Sequence, residues 1–80
     1  MQLADSLLDR ITTDPRILGG KPVVRGLRIS VQQLLTALAA GQTPQELMQE
    51  YPELEPADFR SVLLFAADAV AEQRVYRLST

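Results

Sequence analysis

The stretch that decides the fold is Gly19–Ser30, which reads GGKPVVRGLRIS. It holds three of the chain's four glycines, one proline and three basic side chains. Gly19-Gly20 allows backbone angles with φ above zero. Pro22 holds the chain extended, and Val23-Val24-Arg25 reads as a short strand. Gly26 marks a turn or bulge, after which Leu27-Arg28-Ile29 resumes an extended course. Gly19, Gly20, Pro22 and Gly26 therefore shape a small strand pair or an irregular extended arm. Strands this short need the helices or a second chain to lie on.

Upstream of this stretch, Leu3, Leu7 and Leu8 fit one helical turn, but eight residues do not decide the matter. Ile11-Thr12-Thr13 is β-branched throughout and favours a strand. Asp14-Pro15 ends it as a turn.

Downstream the pattern turns helical. Ser30 caps a helix over 31–40, whose Val31, Leu34, Leu35 and Leu38 form one stripe. Gly41 ends it. Thr43-Pro44-Gln45-Glu46 is a capping-box start for a second helix, which Pro52 stops. Leu47, Met48 and Tyr51 face inward. Pro56 opens a third helix, with Glu55 at or near its cap, and the pattern runs to about Arg77. Phe59, Val62, Leu63, Ala66 and Val70 form its core stripe. Leu64, Ala71 and Val75 lie on another side and are candidates for a dimer interface, unless the N-terminal segment folds back over them.

The expected fold is thus mainly α. A three-helical, homeodomain-like (helix-turn-helix-like) bundle over 31–78 follows an N-terminal arm over 1–30, in a single domain spanning 1–80. A chain of this length buries only about 60% of the surface that its unfolded form exposes. A small domain without disulfides often gains stability by association, so a homodimer is expected.

Composition excludes several chemistries. The chain has no cysteine and no histidine, so thiolate ligands, the usual zinc sites and histidine-based nucleophilic triads are absent. Neither a metal nor a small-molecule cofactor is expected. The acidic N-terminus does not suit a signal peptide, and no run approaches a membrane span. The expected location is cytoplasmic.

The formal net charge of −2 conceals a segregation. Arg10, Arg16, Lys21, Arg25 and Arg28 share their span with Asp14 alone. Glu46, Glu50, Glu53, Glu55 and Asp58 follow with no basic residue among them. Such asymmetry points to two surfaces with different roles, or to two ordinary solvated faces. The second helix, its connection and the third helix could form a DNA-reading unit. Its reading end, Glu55–Ser61, is acidic, however, and only Arg60 offers a base contact there. The same three helices could serve structure alone. The arm's Arg16, Lys21, Arg25 and Arg28 could touch phosphates, the acidic face of a second subunit or an acidic partner. Gly-Gly-Lys lacks the spacing of a phosphate loop. Solubility and capping explain the carboxylates better than a magnesium site does.

Arg10-Ile11-Thr12, Asp14-Pro15, Ile17–Gly26, Arg28-Ile29 and Val31 stand in an order that resembles domain-of-unknown-function family 433. Ala40-Gly41, Thr43–Leu47, Glu50-Tyr51-Pro52, Leu54 and Ala66-Ala67-Asp68 resemble it too. The likeness covers about residues 10 to 70, with Gly-Gly-Lys-Pro and Arg-Gly-x-Arg-Ile as its specific part. It implies a bacterial protein with a helix-turn-helix-like core and an extended arm. It also implies an antitoxin of VapB-like type, a non-enzymatic protein that binds a PIN-like ribonuclease toxin and operator DNA. Leu27 stands where that family usually has threonine, and Glu55 where a threonine or serine cap is common. The first removes a hydroxyl from the arm; the second adds negative charge to the reading helix. The other reading is a protein-interaction homodimer with no nucleic-acid role.

Overall fold

The computed structural model describes residues 3–73, with side chains from 6 to 71. It is a small compact domain of four helices and a two-stranded antiparallel sheet. The order is α1 (Leu3–Leu8), β1 (Ile11–Thr12), β2 (Val23–Val24), α2 (Val31–Ala39), α3 (Pro44–Glu50) and α4 (Pro56–Gln73). Val75 and the expected run of the last helix to Arg77 lie outside the described residues.

The organising stretch folds as a hairpin. Arg25 and Gly26 have φ of 49° and 74°, and the Leu27 N–H donates to the Val24 carbonyl at 2.8 Å. Two successive residues at positive φ make a type I′ turn, whose twist matches that of the flanking strands. The chain then returns beside β2: the Val24 N–H donates to Ile29 O at 3.0 Å, and Val23 bridges to Ser30. On the other edge β1 pairs with β2 in the register Ile11–Val24 and Thr12–Val23. Val23 and Val24 are both fully buried. Upstream, Leu18, Gly19 and Gly20 all have positive φ and form a single 3-10 turn.

The helix ends follow local chemistry. Ser30 Oγ accepts from Gln33 N at 2.9 Å. At the other end of α2, Gly41 sits at φ 100°. Gly41 N donates to Leu38 O at 3.0 Å and Gln42 N to Ala37 O at 3.1 Å, the two bonds of a Schellman motif. Thr43 and Glu46 close the capping box of α3, with bonds of 2.8 and 3.1 Å.

The core joins the hairpin to the helices through Val24, Ile29, Val31, Leu34, Leu47, Leu54, Phe59 and Val62. The structure corrects the expected stripe of the last helix. Phe59 and Val62 are buried, but Leu63 is 53% and Val70 62% exposed. Leu63 follows Val62 by one residue, about 100° round the helix, and so turns off the buried face; Val70 stands two turns beyond the last buried residue, Val62, on a helix of 18 residues, about 27 Å long. The N-terminal segment settles as α1 and packs on α4.

Candidate functional site

The basic residues of the arm divide into those used inside the fold and those left on its surface. Asp58, in the first turn of α4, has no exposed surface. Its Oδ1 accepts from Arg10 Nη1 and Arg25 Nε, each at 3.0 Å. Its Oδ2 accepts from Arg25 Nη2 at 3.0 Å and from the Glu55 N–H at 2.8 Å. Arg25 Nη2 also donates to Glu53 O at 2.6 Å, and Arg10 Nη1 to Glu55 at 2.7 Å. Burial pushes the Asp58 carboxyl up, but the bonds from Arg25, from the Glu55 N–H and from Arg10 outweigh it and hold the group below its ordinary value. Arg25 and Arg10 are raised in turn, chiefly by hydrogen bonds to Asp58 and Glu55 respectively.

This cluster joins the turn after α1, the hairpin turn, the α3–α4 connection and the start of α4. Arg25 reaches Asp58 from the hairpin turn, where its backbone is left-handed. The Glu55 N–H to Asp58 bond is one half of a capping box. It also cancels much of the negative charge that the sequence places at the start of α4: two arginines now face Glu55 and Asp58.

The other basic residues stand differently. Arg16 forms a local bidentate pair with Asp14, at 3.1 and 2.9 Å, yet its side chain is 88% exposed. That pair, with the Arg16 N–H, draws the Asp14 carboxyl below its ordinary value. Lys21 Nζ donates to Gln32 Oε1 at 3.5 Å. Arg28 and Arg60 are exposed, and neither has a carboxylate partner among the described residues. Pro22, beside Lys21, accepts the Val31 N–H on its carbonyl at 3.0 Å and so ties the arm to the start of α2. Gly19, Gly20 and Gly26 all sit at positive φ. Of the expected dimer residues, Leu64 is half-buried and Ala71 exposed.

The Arg10–Asp58–Arg25 cluster could not be paired from sequence. One signal pointed to Asp58: it shares a helix face with Ser61, Val62 and Phe65, an apolar-side position for a carboxylate. Glu46 and Glu50 are exposed on α3, and among the described residues no three His, Cys, Asp or Glu side chains converge. No described helix is long and apolar enough to cross a membrane.

The model of a family described as "Protein of unknown function (DUF433)" matches residues 11–66, which span β1, the hairpin, α2, α3 and the first half of α4. The chain belongs to the DUF433 family. It is also similar to "Uncharacterized protein y4eO" of Sinorhizobium fredii (strain NBRC 101917 / NGR234). The two are 36% identical over 56 residues, which cover 70% of this chain and 25% of that protein. The DUF433 chain therefore spans about a quarter of that relative's length. No solved structure matches. Arg25 and Asp58 of this network fall inside the DUF433 match, and Arg10 immediately precedes it.

Proposed function

We propose that this DUF433 protein is a non-enzymatic binding module, an antitoxin-like homodimer that captures a PIN-like ribonuclease toxin and takes operator DNA as a second ligand. The observation that carries the reading is the division among the cations. Arg10 and Arg25 are spent inside the fold, whereas Lys21, Arg28 and Arg60 face solvent without a carboxylate partner among the described residues. Lys21 and Arg28 flank the same hairpin. An unneutralised basic surface suits an acidic protein face or a phosphate backbone.

In this reading α3, its connection and α4 act as a helix-turn-helix-like unit of homeodomain type. Arg60 is then the base-facing residue, and the pairing of Asp58 with two arginines lowers the repulsion that phosphates would meet. The binding test compares Arg28→Ala and Arg60→Ala with Arg25→Ala, using a PIN-like ribonuclease and an operator fragment. The first two should weaken binding at unchanged melting temperature. Arg25→Ala should lower the melting temperature. Affinity for DNA should fall steeply with salt. Full affinity for both ligands in Arg28→Ala and Arg60→Ala overturns the assignment.

The second reading, a protein-interaction homodimer without a nucleic-acid role, draws support from the exposed apolar side chains of α4. The salt series separates the two, because a chain that shifts no DNA at low salt fits only the second.

A further inference from the structure

The helix α4 outruns the core it helps to build. Its first half carries buried Asp58, Phe59, Ser61 and Val62. On the same side one and two turns later stand Phe65, Ala66, Ala69 and Val70, and these line open hollows. Two hollows adjoin, sharing Phe65 and Ala69. One lies toward Leu8 and Ile11 and includes Asp68. The other lies toward Val31 and Leu35 of α2 and has Lys21 at its edge. Together they make a mainly apolar trough with α4 along its floor.

Two features of this trough bear on its occupant. It carries its own projection, because Val70, 62% exposed, stands beside the small Ala66 and Ala69. A protruding valine next to small residues is complementary to the same surface on another copy. Its two sides also carry opposite charge. Asp68 stands on the α1 side and Lys21 on the α2 side, and neither has a charged partner among the described residues.

The geometry points to a second copy of this chain as the occupant, packed trough to trough about a two-fold axis that runs along α4. That axis exchanges the two sides, so Lys21 of each copy meets Asp68 of the other, twice per dimer. A two-fold axis running across α4 would instead oppose like charges, which disfavours it. The interface so defined is centred on Phe65, Ala69 and Val70 rather than on Leu64 and Ala71. It rests on the reading of the chain as a homodimeric module. Self-association is measured with neither toxin nor DNA present, so its failure is distinguishable from a failure of ligand capture.

The test is sedimentation of the full chain over a concentration series at low salt. The wild-type chain should pass from monomer to dimer. Ala69→Glu places a charge in the trough at an exposed helical position; it should keep its far-ultraviolet circular dichroism and remain monomeric. Lys21→Glu and Asp68→Lys should each raise the dimer dissociation constant about three- to tenfold. The double variant, in which the pair is reversed, should regain the wild-type value. A wild-type chain that stays monomeric, a dimer indifferent to Ala69→Glu, or a double variant no tighter than the single ones each overturns the inference.

Discussion

A carboxylate without exposed surface stays ionised only when donors replace the water it has lost. Asp58 has four such bonds, three from arginine side chains and one from a backbone N–H. Asp58→Asn keeps the shape but turns acceptors for two guanidinium groups into an amide. Arg10 and Arg25 are about one-third exposed and can turn partly to water, so the loss should be about 2–3 kcal/mol at neutral pH, read from urea denaturation. The pH dependence follows from the lowered value of the folded state. Unfolded, the group titrates near 3.9. The network therefore contributes its full stabilisation well above that value and loses it as pH falls through the folded value. Urea midpoints of the wild-type and Asp58→Asn chains should differ constantly from pH 7 to about pH 5 and converge below about pH 4. Asp14, also lowered, adds to the acid loss in both chains and does not affect the comparison.

Among the elements, the hairpin is the most demanding of its residues. Arg25 tolerates positive φ because its side chain gains Asp58 and Glu53. Gly26, at φ 74°, has nothing within 4 Å of the place where a Cβ would stand. The cost of Gly26→Ala is therefore backbone strain alone, about 1–2 kcal/mol, visible as a lower melting temperature. The sequence leaves this stretch as a strand pair or an irregular extended arm with a turn or bulge at Gly26. Gly26 between two short extended runs marks a turn, and Ser30, Gly41 and Thr43-Pro44-Gln45-Glu46 mark helix ends within one residue of those observed. Each of these signals acts over four residues or fewer, so each survives any tertiary arrangement. The turn type was not legible, because it needs φ above zero at Arg25, and only a distant carboxylate makes that favourable there.

Across the whole molecule, the arm and the helices share one core. The core cluster includes Val24 and Ile29 of the hairpin beside Phe59 and Val62 of α4, and the Asp58 network clamps the same junction. Asp58→Ala should therefore lower amide-exchange protection at Val24 and at Val62 together, by the same free energy. Loss confined to the hairpin would instead make the arm an independently opening segment.

The sequence by itself determined the ends of α2 and α3, the start of α4, the short strands, the turn at Gly26 and the separation of basic from acidic residues. These depend on residues that are neighbours along the chain. Only the tertiary structure decided which charges meet. Arg25 and Arg10 find Asp58 from 33 and 48 residues away, and that pairing turns part of a basic surface into internal support. It also decided that α1 lies on α4 and that the far half of α4 keeps Val70 in solvent. Apolar spacing shows that a helix has a buried side, but not how far along its length other elements reach to cover it.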